Sequence, residues 1–150
     1  MRRRLILLLL VACGPEQATD AWQGASWPEP LDEGRVVEWT VHDAWGEESI
    51  TVNRDGTSVL DVRIRSGTHG VHVERDLTDL EMEALRDELR TAGCCGLPSE
   101  SVGPPEASLR IRLPELSCDV SLPLEGWEEG DALRCERRLR AVHGRPRFRE

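Results

Sequence analysis

Cys94 and Cys95 stand side by side, and no other feature of the chain constrains its fold as tightly. Neighbouring cysteines can bond to each other only through a small, strained ring, because disulfide geometry fixes how far apart the two Cα atoms must lie. With Cys118 and Cys135 downstream, an oxidised chain ties one neighbour to Cys118 and the other to Cys135, and both assignments are open. Either one gathers three segments at a single point. Each loop so closed stabilises the fold by about 3 to 4 kcal/mol on the chain-entropy account. Competing chemistries fit less well. A four-thiolate zinc site lacks the C-x₂-C knuckles such sites use, and a thioredoxin-like pair lacks C-x-x-C. A vicinal Cys94–Cys95 switch is chemically possible but rare. An even count of four needs the fifth cysteine, Cys13, to be set aside, and the N-terminus supplies a reason.

Arg2, Arg3 and Arg4 precede the apolar run Leu5 to Ala12, the layout of a secretory signal peptide. Eight residues are too few to span a bilayer, which takes about 20. Leu10, Val11, Ala12 and Cys13 resemble the lipobox of bacterial lipoproteins. The resemblance implies that residues 1–12 are removed and that Cys13 becomes the first mature residue, lipidated and palmitate-bearing, as the membrane anchor. Several acyl chains hold stably, at about 0.8 kcal/mol per buried CH₂. It also implies a cell-envelope protein facing the periplasm or exterior. Gly14 in place of Asp favours the outer membrane of a Gram-negative cell. An oxidising compartment makes disulfides the default for the remaining four cysteines.

Removing residues 1–12 leaves 16 arginines against 28 acidic residues, a charge that repels nucleic acid; we expect no nucleic-acid partner. All the basic residues are arginine, which reads as codon bias. Residues 13–34 form an expected flexible, acidic, Pro- and Gly-rich tether. Trp22 and Trp27 within it either dip into the membrane interface or pack back on the domain, and packing is the favoured reading. Residues 35–144 are expected to form one α+β domain: an antiparallel sheet made of a four-strand meander and a later hairpin, packed by two helices and disulfide-stabilised. Residues 145–150 are expected to form a frayed basic tail.

The elements follow from periodicity. Val37, Trp39 and Val41 alternate with polar residues, as a half-buried strand requires. Strands at 49–53 and 58–65 flank the turn Asn53, Arg54, Asp55, Gly56. Residues 66–70 make another turn before Val71 and Val73. Thr78 and Glu81 form a capping box for a helix over 78–92, with Leu77 and Met82 at staple positions. Met82, Leu85, Leu89 and Ala92 give its core stripe, and Gly93 ends it in αL. A hairpin follows, with Leu109, Ile111 and Leu113 leading into the turn Pro114, Glu115 and Leu116, Cys118, Val120 and Leu122 returning. Residues 123–130 read as a polar loop around Trp127. Asp131 is expected to cap a last helix that buries Ala132, Cys135, Leu139 and Val142, with Gly144 ending it.

No catalytic constellation emerges from the sequence. His69 and His72 flank a turn and His42 sits on the polar side of a strand, without an H-E-x-x-H cluster. Ser58 and Ser66 are assigned to turns, without a G-x-S-x-G elbow. We therefore expect no enzyme, no cofactor and no metal. The residues Arg65, Ser66, Gly67 and Gly70, with Leu85, Leu89, Leu97 and Pro98, are similar in order to those of emfourin-like proteins over residues 50–142, although Thr68 replaces a glycine and a later aromatic residue is missing. That resemblance implies inhibition of a thermolysin-like metalloprotease through the turn Arg65, Ser66, Gly67, Thr68, His69 and Gly70. The expected function is a lipid-anchored binding module for an unknown protein partner. Protease inhibition is the first alternative, and an unrecognised hydrolase or metal-binding protein the second.

Overall fold

The computed structural model describes residues 25–66, 70–100 and 103–144. The lipobox, Cys13, Trp22, the turn residues Gly67, Thr68 and His69, and the tail 145–150 lie outside that set. Eight regular elements make one α+β unit: β1 (Arg35–His42), β2 (Gly46–Asn53), β3 (Thr57–Ile64), β4 (Val71–Asp76), α1 (Asp79–Thr91), β5 (Glu106–Leu113), β6 (Leu116–Pro123) and α2 (Gly130–Ala141). The strands form a single six-stranded sheet in the order β4-β3-β2-β1-β5-β6, antiparallel throughout. The expected meander and hairpin are thus one sheet, joined where β5 pairs with β1.

Period two divides the sheet into two faces, because successive strand side chains point to opposite sides. Val37, Trp39, Ile50, Val52, Leu60, Leu109, Ile111 and Val120 are buried on one face against Met82, Leu85 and Leu89 of α1 and Ala132, Cys135 and Leu139 of α2. α1 begins with its capping box, Glu81 N donating to Thr78 Oγ1 at 3.3 Å and Thr78 N donating to Glu81 Oε2 at 2.9 Å. It gives way at Gly93, which adopts φ 73°.

The structure corrects three expectations at the edges of these elements. Asp131 is not the cap of α2: the N-cap is Glu129, which makes no side-chain cap bond, and Asp131 sits in the first turn paired with Arg134. Trp127 is fully buried in a short 3₁₀ turn, with its Nε1 donating to Ala107 O at 2.9 Å. An indole with a carbonyl in reach can leave a polar-looking loop for the core. Ser58, read both as the start of the strand over 58–65 and as a turn residue, lies in β3 and is buried, hydrogen-bonded to His143 Nε2 at 2.9 Å, so the strand reading holds and the turn reading does not. Upstream, packing begins before Arg35. Leu31 is buried, and Trp27 rests against the core with the Arg54 guanidinium 4.8 Å from its ring centroid.

Candidate binding surface

The cysteine pairing is resolved. Cys94 bonds to Cys135 and Cys95 to Cys118, with Cα separations of 5.7 and 5.5 Å. The 3₁₀ turn Cys94–Gly96 after α1 is what separates the neighbours: Cys94 is buried toward α2, while Cys95 turns to the edge strand β6.

The helices attach to the other side of the sheet differently. Arg140 of α2, Glu136 one turn before it and Glu48 of β2 are all buried. Arg140 Nε donates to Glu136 Oε1 at 2.8 Å, its Nη1 donates to Glu48 Oε1, and its guanidinium lies 4.9 Å from the Trp39 ring centroid. Burial alone would pull the Arg140 pKa down, but the hydrogen bonds and charges of Glu48 and Glu136 outweigh it and raise it. Sequence reading missed this triad. Its signals were Glu136 and Arg140 four apart beside an apolar stripe, and Glu48 in phase with Ile50 and Val52.

Among the described residues the opposite face of the sheet carries no helix, and apart from Val59 of β3 the residues around its central hollow are polar or charged. The strand registers place Ser121, Ser108, Thr40, Ser49, Asp61 and His72 in one line across all six strands. Asp61 and His72 end it with Oδ1 and Nδ1 3.6 Å apart. The next line is charged: Arg110 and Glu38 stand opposite each other, with Nη1 3.3 Å from Oε2, and Glu38 also receives Arg35 Nη1 at 2.6 Å. Arg112 donates to Asp119 at 2.9 Å on β6. That hydrogen bond, backed by the charges of Arg112 and Arg110, holds the Asp119 pKa below its ordinary value against the effect of partial burial. A shallow hollow of about 450 Å³ runs over this face, bordered by Glu38, Thr40, Ser49, Thr51, Asp61 and His72.

Chemically, this face offers fixed charges flanking a row of hydroxyls, each of which both donates and accepts. The order Ser49, Asp61, His72 puts the carboxylate between the other two, so these residues do not form the nucleophile–base–orienter chain of a hydrolytic triad. His42 lies 3.5 Å from Glu47, and His143 bonds the buried Ser58. Among the described residues no three His, Cys, Asp or Glu side chains converge as a metal site. Of the turn singled out in the sequence, Arg65, Ser66 and Gly70 are placed. Arg65 N donates to Trp45 O at 2.9 Å. A Cβ on Gly70 would meet Val62 O at 1.6 Å, so the backbones approach too closely for any other residue. No family model and no curated protein matches the chain.

Proposed function

We propose that this chain is a lipid-anchored cell-envelope protein that acts by binding, and that the open face of its sheet is the surface it presents. The anchoring half rests on Leu10, Val11, Ala12 and Cys13. The binding half rests on one observation: the unbroken polar line from Ser121 to His72, beside the ion pairs of Arg110 with Glu38 and Arg112 with Asp119, which already hold their geometry. Side chains ordered before contact lose less entropy on binding, and a wide, largely polar face suits an extended polar partner such as a peptide segment more than a small apolar ligand.

Each half has its own test. Cells fed a palmitate analogue label the wild type and not Cys13→Ala, which leaves the membrane fraction; an unlabelled wild type removes the anchor. A photo-crosslinking residue at Ser49 or Thr40 gives discrete protein adducts in cells, while the same residue at Asp87 on the outer surface of α1 gives none. Equal patterns at the two places remove the face.

A further inference from the structure

The two edge strands of the sheet are finished differently. Along β6, Glu100 N donates to Ser121 O at 2.7 Å and Ser121 N donates to Ser99 Oγ at 3.1 Å, so a passing segment takes up the edge. Cys95 also pins it to Cys118. Among the described residues β4 pairs with β3 alone. Leu77 N donates to Gly56 O, which sets the alternation of the antiparallel ladder: residues 71, 73 and 75 turn their backbone groups toward β3, and His72, Glu74 and Asp76 turn theirs outward. An edge with outward N–H and C=O groups is a template for another strand.

The side chains around this edge are self-complementary. On the helix side, the corner of β3 and β4 holds Val62 opposite Val71, with Val73 next along and Ile64 42% exposed. At the other end of β4, α1 begins, tied there by Arg75 to Glu81, and carries Leu80 at 74% exposure. We infer that β4 pairs antiparallel with β4 of a second copy of this chain, centred on Val73. That register sets His72 opposite Glu74 of the other copy twice over, and its four outward backbone bonds fall on those same two pairs. Sliding the centre to His72 or to Glu74 would set like groups face to face, which disfavours pairing. The antiparallel arrangement also brings the Leu80 end of each copy alongside the Val62, Ile64 and Val71 corner of the other, covering apolar surface on both. The twofold axis stands perpendicular to the sheet, so the two open polar faces join into one.

Sedimentation equilibrium of the full chain, in a nonionic detergent matched in density to the solvent, tests this up to about 200 µM, the range in which a small interface associates. The wild type forms a dimer. Glu74→Arg, which sets Arg against His72 twice, weakens it at least about tenfold. His72→Glu combined with Glu74→Arg restores it, and Leu80→Glu weakens it independently. Near-UV circular dichroism identical to wild type shows that each variant is folded, as expected at exposed positions. A monomeric wild type over the whole range, or a dimer indifferent to Glu74→Arg, overturns the inference.

Discussion

The helix layer is fastened to the two halves of the sheet by different kinds of bond. On the β5–β6 side the attachment is covalent: Cys95–Cys118 ties the turn after α1 to β6, Cys94–Cys135 ties that turn to α2, and the buried Trp127 completes it. Across β2, β3 and β4 it is polar: Arg140 with Glu48 and Glu136, His143 with Ser58, and Arg75 with both Glu81 and the Val142 carbonyl. A covalent staple works mainly by restricting the unfolded chain and is indifferent to pH or salt. A buried ion network works in the folded state and is costly when half of it is removed. Two kinds of perturbation should therefore separate the two halves.

The largest effect falls on the covalent half. Replacing all four of Cys94, Cys95, Cys118 and Cys135 by Ser removes two closed loops, together about 6 to 8 kcal/mol on the chain-entropy account. Domains of this size have about 5 to 15 kcal/mol in all, so the variant should be largely unfolded by circular dichroism at 37 °C. A cooperative melt within a few degrees of wild type would show that the polar half alone holds the layers.

Next comes the triad. Arg140→Leu leaves Glu48 and Glu136 buried and uncompensated, at a cost of about 3 to 5 kcal/mol. Replacing all three with apolar residues should recover most of that loss, since the desolvation cost goes with the charges. Urea unfolding of the two variants decides it. If the triple variant is as unstable as Arg140→Leu, the network stabilises through its specific bonds, and the penalty argument fails.

The contrast between the halves also marks what could be read from sequence. Most apolar strand positions were legible because burial enforces period two, although Val36, buried beside Val37 where the β1–β2 register shifts, was not; α1 was legible because Thr78, Glu81 and Gly93 act locally. Disulfides were expected on count and compartment, but the choice between Cys118 and Cys135 was not accessible. It depends on which way a 3₁₀ turn at Cys94–Gly96 points the two sulfurs. The charged anchors were least legible. Glu48 sits at an inward strand position, and only the arrival of Arg140 from 92 residues away makes that position tolerable. Trp127 was hidden for the same reason, since its partner carbonyl at Ala107 lies 20 residues back. The polar face is intermediate: each hydroxyl was visibly out of phase with the core, but their alignment is a property of register across six strands.

A smaller effect probes the capping box that holds α1 beside β4. Thr78→Ala removes an N-cap acceptor and should cost about 1 kcal/mol. Native-state hydrogen exchange should show the first turn of α1 and the neighbouring end of β4 opening more readily, with β6 unchanged. Faster exchange spread evenly over both edges would mean that the halves do not open separately.

The smallest effect is acid sensitivity, and its sign follows from three carboxylates. Backbone and side-chain hydrogen bonds from Thr57 lower the pKa of Asp55, the Thr78 backbone N–H, helped by the Thr78 hydroxyl and the charge of Arg75, lowers that of Glu81, and Arg112 lowers that of Asp119. A carboxylate whose folded pKa lies below its ordinary value of 4.5 for Glu81, or 3.8 for Asp55 and Asp119, binds protons less readily when folded. Its stabilisation is present at neutral pH and is lost as pH falls through the folded value. Arg140 runs the other way: its raised pKa keeps the guanidinium charged throughout this range. Urea midpoints should therefore hold steady from neutrality to about pH 5 and decline below that. Glu81→Gln should flatten part of the decline, and added salt should shrink it because these groups are exposed. An unchanged acid slope in Glu81→Gln would mean that the bonds at the start of α1 contribute nothing net, leaving Arg140 and His143 as the attachments that hold the helices to β2 and β3.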